Sequence, residues 1–456
     1  MPHCTQDTSV SDMAELLRQP ATPWPDGWAG WKNTQQAHIQ LLEEAIRNCP
    51  PYPEGKYRGR GIVISVNAKP GWSSGKNLPN GYFPGAWVVA NELRRLGCDL
   101  PIVFAYIGDL ELDPKLAKLV EPLGVECVDL LKLTESDPMR ILGGWESKVY
   151  ALYHAPFEQV IYMDADCFPV RSPEFLFDGH QFKHHGAIFW PDLPPYDRPE
   201  WLPAVVWENI GVPPNPDYVD FESGQLAIDK RKCWKEFNAA RHINEHSDWY
   251  YKFVFGDKST FHLAWAKCQA MGVNGGWAIP RTPATWNGKH IEQHDFGGQV
   301  LFQHATQDKP SLSGFAHPHH LIHREHCEKH LEELRKRWDG RLWANDDPSE
   351  QELVWVRELM GRTWEYERVG LGQRRVRFLA DEGGRYGRVG LGLGKCEVSW
   401  AVFDTKHGPK LMVADIDGKP TFAALRNPQG EWQGKWFEHE RCPVVLRPAA
   451  EAERGV

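Results

Sequence analysis

The strongest constraint in this sequence is an alternation of short apolar runs with helix-period segments, which begins at Gly61 and ends on an acidic tripeptide. Gly61-Ile-Val-Ile-Ser-Val66 is rich in β-branched residues and short, as expected for a strand buried on both faces. Ala86 to Leu96 reads as a helix closed by Gly97. Pro101-Ile-Val-Phe-Ala-Tyr106 is a second strand, Pro114 to Leu123 a helix, and Val125 to Leu130 a third strand. Glu146 to His154 is helical, and Gln159-Val-Ile-Tyr-Met163 is a fourth strand running directly into Asp164. This alternation predicts an α/β architecture of parallel strands with helices on both faces. Ligands in such sheets bind beyond the carboxyl ends of strands, where Asp164 falls.

The flanks read differently. Residues 1–60 form a lead-in, with a Pro/Trp/Gly-rich stretch (Pro23-Trp-Pro-Asp-Gly-Trp28) and one amphipathic helix over Thr34 to Asn48. Ile39, Leu42 and Ile46 recur there at helical spacing, and Pro50, Pro51 and Pro53 end it. Residues 180–310 are irregular and rich in Pro, Trp and His. Residues 320–338 form a charged helix with Cys327, Leu331, Leu334 and Trp338 on one stripe. Beyond residue 345, a short helix (Ser349 to Met360) precedes strand-like segments with turn signals at Asp417-Gly418 and Asn427-Pro-Gln-Gly430. The pattern predicts a small antiparallel β domain over 361–449. An echo, Arg368-Val-Gly-Leu-Gly372 and Arg388-Val-Gly-Leu-Gly392, has two copies, too few for a solenoid. The expected domains are 1–60, 61–345 and 346–456.

With 456 residues the chain can hold two or three domains. Its net charge of −9 gives no support for a nucleic-acid partner or for docking on anionic lipid. The ten cysteines occur singly, without CxxC spacing, so they read as reduced thiols rather than a zinc ribbon or disulfide framework. The first 20 residues lack the apolar core of a secretory signal. No stretch approaches the roughly 20 apolar residues of a membrane span. A cytoplasmic location is the expectation. The 21 tryptophans suit stacking on sugar rings, although any single one is first a core residue.

Asp164-Ala-Asp166 is the first chemical candidate. Two carboxylates at i and i+2 just past a strand can turn toward one hard cation, which would bridge diphosphate oxygens and neutralise a leaving group. The pair alone is a weak signal. The preceding strand and the apolar Cys167-Phe-Pro-Val170 that follows argue against a chance surface copy. A phosphatase of the haloacid dehalogenase type would place the pair on the first strand with Thr or Val two positions after it. Here several strands come first and Phe168 stands there. Gly71-Trp-Ser-Ser-Gly-Lys-Asn77 lacks one residue of the Walker spacing and has Asn77 at the magnesium-binding position, so it reads as a donor or acceptor loop. His319, His323, His326 and His330 lie near one helical face. They suit a transition metal, but flanking an amphipathic helix is the more ordinary role.

Gly144-Trp-Glu-Ser-Lys-Val-Tyr-Ala-Leu152 leading to Val160-Ile-Tyr-Met-Asp-Ala-Asp166 resembles the core of GT-A glycosyltransferases. The closest likeness is to the retaining glycogenin-like enzymes and the fungal α-mannosyltransferases. Glu222-Ser-Gly224, Gly256-Asp-Lys258, and Phe302-Gln-His304 with Lys309-Pro310 are similar to later motifs of those families, in the same order. The resemblance implies a Rossmann-like mixed sheet and transfer of a hexose from a nucleoside-diphosphate sugar. The donor would be a UDP- or GDP-sugar, and the acceptor a hydroxyl on a glycan, peptide or small molecule. It implies a metal site of Asp164, Asp166 and His304, with Mn²⁺ or Mg²⁺ as cofactor. Donor contacts fall to Ser65, Asn67, Lys148, Asp164, Ala165, Asp257 and Lys309, and catalytic roles to Glu222, Asp257 and Lys258. The His-to-Lys spacing is one residue shorter than the glycogenin pattern, and no Trp follows Pro310.

Residue chemistry alone leaves alternatives open. Lys148 suits a solvated helix charge, Asp257 an N-cap for a helix from Ser259, Glu222 an arginine partner, and His304 a core histidine. At the level of function, two other classes stay open: a carbohydrate-binding protein with an inactive transferase core, and a metal-dependent phosphoester hydrolase. The C-terminal domain is assigned to acceptor positioning or self-association.

Overall fold

The apolar runs are strands of one six-stranded sheet. Among the described residues helix α1 (Gly27–Arg47) precedes β1 (Arg60–Ser65), α2 (Phe83–Arg95), β2 (Ile102–Tyr106) and β3 (Val125–Asp129). Then come α3 (Ser147–His154), β4 (Gln159–Asp164), β5 (Cys167–Pro169), β6 (Ala187–Pro191) and β7 (Phe221–Asp229). The sheet order is β3-β2-β1-β4-β7-β6. Strands β3, β2, β1 and β4 are parallel, while β7 runs antiparallel to both β4 and β6. The expected α/β class and parallel core are therefore present, in a mixed sheet.

The computed structural model describes residues 27–69, 71–73, 76–108, 111–133, 136–137, 140, 144–194, 204–214, 219–273, 275–340, 342, 349–380, 386–390, 397, 399–405, 407–415, 420–437 and 442–449. The chain divides into two units, residues 1–112 with 117–337, and residues 113–116 with 338–456. Among the described residues, no helix is long and apolar enough to cross a membrane.

Both faces of the sheet are covered. Val63, Val103, Val160 and Tyr162 join a core with Val149 and Leu152 of α3. The same core takes in Phe237 and Ile243 of α4 (Trp234–Glu245) and Leu263 and Trp265 of α5 (Thr260–Ala270). Ile62, Ile64, Ile161 and Met163, which alternate with the first set and so face the other way, are as fully buried. Double-sided burial is what a near-continuous β-branched run requires.

A second, smaller sheet joins Thr285–Trp286, β8 (Ile291–His294), β9 (Val300–His304) and β5, all antiparallel. Trp190 of β6 donates its indole N–H to the His294 carbonyl at 2.9 Å, tying the two sheets together. Helix α6 (Arg324–Arg337) buries Cys327, Leu331 and Leu334. Its His330 carbonyl accepts from the Trp87 indole of α2 at 2.8 Å. Two of the histidines near α6, His323 and His330, serve such packing. His330 Nε2 lies 2.9 Å from Glu92, and His323 Nε2 lies 2.9 Å from the Val170 carbonyl.

Helix boundaries move by a few residues from the expected ones. The segment from Pro114 ends as an α-helix at Val120 and tightens into a 3₁₀ turn over Glu121–Leu123, closed by Gly124 at φ 67°. Much of the loop over 71–77, and the turn at Asp417-Gly418, lie outside the described residues.

The C-terminal unit is a closed barrel capped by α7 (Glu350–Met360). Its strands are β10 (Trp364–Arg368), β11 (Gly372–Ala380), β12 (Tyr386–Gly390), β13 (Ser399–Thr405), β14 (Gly408–Ala414), β15 (Pro420–Arg426), β16 (Trp432–Trp436) and β17 (Pro443–Pro448). Each pairs antiparallel with the next, and β17 closes on β10. Closure leaves the sheet without an edge to protect. Trp364, Tyr366, Phe378, Trp400, Phe422 and Trp432 pack its core with Val356 and Leu359 of α7. Ser349 caps α7 through a capping box with Glu352. The first copy of the sequence echo is the β10–β11 hairpin, where Arg368 pairs with Gly372. The second starts inside β12, so the two are not equivalent.

Candidate active site

Strand register assembles the site. β4 delivers Asp164 at the carboxyl end of the parallel strands, where Ser65 of β1 is its register partner. β7 runs the opposite way, with Gln225 opposite Met163, so Glu222 to Gly224 at its start lie beside that same end. In the smaller sheet His304 is the partner of Cys167, and the Ala305 N–H donates to the Asp166 carbonyl at 2.8 Å. Antiparallel pairing thus carries His304 to the aspartate pair from far along the chain.

Asp164, Asp166 and His304 each offer one ligand atom, and these atoms lie within 4.8 Å of one another. His304 Nε2 is 3.3 Å from Asp166 Oδ1 and 3.9 Å from Asp164 Oδ2. On its other side, His304 Nδ1 is 3.2 Å from Glu222 Oε1. The second Glu222 oxygen accepts from the Gly224 N–H at 2.7 Å. A carboxylate behind the imidazole sets its orientation and directs the far nitrogen at a cation, as outer-shell partners of metal ligands do. Burial opposes charge on His304, yet Glu222 and Asp166 hold its pKa well above the ordinary range. Glu222 in turn sits at about 2, because His304 outweighs the cost of burying it. Among the described residues this is the sole cluster of three such groups. Two carboxylates and an imidazole suit Mn²⁺, with Mg²⁺ as a harder alternative.

Two ammonium groups flank the cluster. Lys148 Nζ lies 2.9 Å from Asp257 Oδ2 and 3.4 Å from Asp164. It also donates to the Ser223 carbonyl at 2.9 Å and to its hydroxyl at 3.0 Å. Burial works against its charge, but Asp164 and Asp257 hold its pKa well above the usual lysine value. Lys309 pairs with Asp166 Oδ2, and its ammonium stands 5.3 Å from the centre of the Tyr82 ring. Lys148 is thus no solvated helix charge, and the Asp257 carboxylate is spent on Lys148 and Ser223 rather than on capping α5.

Two close approaches fix the frame. A Cβ on Gly224 would lie 2.5 Å from His304 Nδ1, and one on Gly85 would lie 2.3 Å from the Ala165 carbonyl oxygen. Asn67 lies two residues beyond Ser65, and its backbone carbonyl accepts from the Tyr82 N–H at 2.8 Å.

Lys258 goes elsewhere. Its ammonium pairs with Asp192 and, at 2.9 Å, with Asp220, and His262 Nε2 stands 3.6 Å from Asp220. Adjacent in sequence, Asp257 and Lys258 serve different charge clusters. Sequence reasoning missed Tyr162, Glu146 and Asp192. The Tyr162 hydroxyl donates to Asp164 Oδ1 at 3.0 Å, and period-two alternation already placed the two residues on one face of β4. Glu146 is fully buried and accepts from the Gly144 N–H at 2.8 Å and from the Ser247 hydroxyl, bracing the turn that leads to Lys148. Nothing in the sequence linked Asp192 to Lys258.

Residues 59–207 match a family model described as "Mannosyltransferase putative". That stretch holds Lys148 and the aspartate pair but ends before Glu222, Asp257, His304 and Lys309. The chain is similar to α-1,2-mannosyltransferase MNN2 of Candida albicans, 30% identical over 110 residues, 24% of this chain and 18% of that protein. It is also similar to α-1,2-mannosyltransferase MNN2 of Saccharomyces cerevisiae, 24% identical over 322 residues, 61% of this chain and 50% of that protein. The chain therefore spans half or less of these relatives. Among solved structures, the galactosyltransferase LgtC in complex with donor and acceptor sugar analogues is 15% identical with a TM-score of 0.32, over 49% of this chain and 73% of that one. The mannosyltransferase Ktr4p from S. cerevisiae in complex with GDP is 10% identical with a TM-score of 0.31, over 62% and 86%.

Proposed function

We propose that this protein is a metal-dependent, retaining glycosyltransferase that moves a hexosyl group, mannosyl by the sequence likeness, from a nucleoside-diphosphate sugar to an acceptor hydroxyl. One observation carries the reading: Asp164, Asp166 and His304 converge at the carboxyl end of the parallel strands, with Lys148 and Lys309 on either side. A diphosphate needs both a cation between its oxygens and positive charge around it as it leaves.

Asp164, Asp166 and His304 would hold the ion, which supplies Lewis-acid neutralisation of the diphosphate. Glu222 and Gly224 position His304, and Tyr162 and Lys148 position Asp164. Lys309 exchanges its Asp166 contact for a leaving phosphate oxygen, and Asp257 receives hydroxyls of the transferred sugar. Retention follows from same-face attack. The acceptor oxygen bonds to the anomeric carbon as the bond to the phosphate oxygen breaks, and the acceptor proton passes to the departing phosphate. Glu222 takes no glycosyl group, because both of its oxygens are engaged by His304 and Gly224.

The test is a donor panel of GDP-mannose, UDP-glucose and UDP-galactose with Mn²⁺ or Mg²⁺ and a saccharide acceptor, following nucleotide release and the anomeric configuration of the product by NMR. Metal-dependent transfer with retention, lost in Asp166→Ala, is expected. Transfer that persists with chelator and in the variant would refute the metal role, and an inverted product would refute the stereochemistry. Release of sugar with no acceptor product would assign the site to a hydrolase.

A further inference from the structure

We propose that Trp145 and Phe255 form a stacking shelf for a pyranose ring of the acceptor, so that the acceptor of this site is a saccharide. The proposal rests on the transferase reading above and deepens it. Trp145 is 57% exposed and Phe255 84%, the two largest exposures among the tryptophans and phenylalanines described. They stand together, with ring centroids 6.4 Å apart and planes 30° apart. Water contact over two adjacent large rings is costly to leave unused, and such patches mark binding surfaces.

The shelf is built rather than incidental. The Gly256 backbone packs closely against the indole: a Cβ there would be 2.8 Å from Trp145 Cε3. Gly256 also has φ 63°, so a side chain is opposed twice at that position. The Tyr251 ring stands 6.2 Å from the indole, and its hydroxyl is fixed on Asn244. The indole is therefore held in place before any ligand arrives, which lowers the ordering cost of binding.

Its place identifies the occupant. The Lys148 N–H donates to the Trp145 carbonyl, so Trp145 sits one turn of backbone before the lysine that holds Asp164 and Asp257. Phe255 and Asp257 flank Gly256. The shelf and the Lys148–Asp257 pair thus hang on the same two turns of chain, so a ligand that reaches from one to the other presents an apolar face to the rings and hydroxyls to the charged groups. A pyranose does both, with axial C–H bonds on one face and hydroxyls around its rim. A lipid chain or an apolar peptide offers the first without the second.

The experiment is saturation-transfer NMR on the full chain with mannotriose, maltotriose and lactose. It compares the unaltered protein with Trp145→Ala, Phe255→Ala, the double variant and Trp145→Phe, and a parallel titration uses GDP-mannose and UDP-glucose with Mn²⁺. At least one saccharide is expected to bind through its ring C–H face. Its affinity should fall about tenfold or more in the double variant and be largely kept in Trp145→Phe, while donor affinity stays unchanged. Equal saccharide binding by the double variant, or donor binding without any saccharide binding, would overturn the shelf. Trp145-dependent saccharide binding with no binding of either nucleotide sugar leaves the shelf standing and removes the transferase reading. Binding of neither ligand class overturns both.

Discussion

Glu222 stands behind His304, with Oε1 3.2 Å from Nδ1, while the opposite ring nitrogen faces Asp166 at 3.3 Å. The carboxylate orients the imidazole and raises its basicity, so its removal should be felt at the metal. Outer-shell partners of this kind are typically worth about 10–100-fold in metal affinity. Glu222→Ala should weaken Mn²⁺ binding by that amount. Glu222→Gln, which keeps a neutral acceptor for the Nδ1 proton, should weaken it less. Calorimetric Mn²⁺ titration checks both. Unchanged affinity in the alanine variant would mean that His304 needs no support or binds no metal.

Gly224 allows that arrangement by having no side chain. A Cβ there would meet His304 Nδ1 at 2.5 Å and Glu222 Oε2 at 2.8 Å. His304 is buried and Glu222 is held by the Gly224 N–H, so the ring must move away from the aspartates. Gly224→Ala should lose most of its Mn²⁺ affinity at a cost to the fold of about 1–3 kcal/mol, as for overpacking elsewhere in cores. Urea unfolding of the apo-protein separates the two effects. Full metal affinity would show that the cluster repacks around the methyl group.

Lys148 neutralises Asp164 and Asp257 in a poorly hydrated place. Removing one partner of such a group leaves charge without compensation, which costs about 3–5 kcal/mol for fully buried pairs. Asp164 has a 26% exposed side chain, so the lower end of that range is expected. Lys148→Met should destabilise the apo-protein by about 3 kcal/mol in urea unfolding. The double variant Lys148→Met/Asp257→Leu should regain part of that loss. If the double variant is less stable than the single one, the uncompensated Asp257 charge is not what destabilises Lys148→Met, and the Ser223 hydrogen bond to Asp257 outweighs it.

The four parallel strands were legible because burial on both faces forces a local pattern, with β1 and β4 buried at their four central positions, whereas β6 and β7 lie in a stretch that reads as irregular. Asp164 was legible for the same reason, as the place where the pattern stops. His304 was not. Its arrival depends on β9 pairing with β5 in one register, and register is a property of two distant segments that neither one displays. Only the order of motifs shared with known families pointed to it. Lys258 illustrates the converse. A motif places Asp257 and Lys258 side by side, but the turn before α5 sends their side chains to Ser223 and to Asp220. The barrel was visible as antiparallel strands and hairpin turns, whereas its closure is a pairing of the first strand with the last, again non-local.

The helical side of the larger unit predicts acid sensitivity. His38 of α1 stacks on Trp249 at 4.8 Å, and burial, then His246, lower its pKa to about 4. Lys252 and Arg140 push it the same way, and Asp248 opposes them. Burial likewise lowers His154 to about 4 and His242 to about 3. Such groups bind protons in the unfolded chain near pH 6.5 but not in the folded one until the pH is far lower. Their contribution to stability is complete above pH 6.5, declines as the pH falls, and stops declining near pH 4 for His38 and His154 and near pH 3 for His242. Asp220, which burial lifts to about 6 against the pull of Lys258, acts in the opposite sense over the same window. A single variant is therefore more informative than the total. His38→Phe keeps the ring on Trp249 and removes the titration. Each depressed histidine contributes up to about 1.4 kcal/mol per pH unit. The drop in unfolding free energy between pH 7 and pH 5, measured by urea titration, should thus be smaller in His38→Phe by about 1–2 kcal/mol. An identical drop in both proteins would mean that His38 already takes up its proton in the folded state at pH 5.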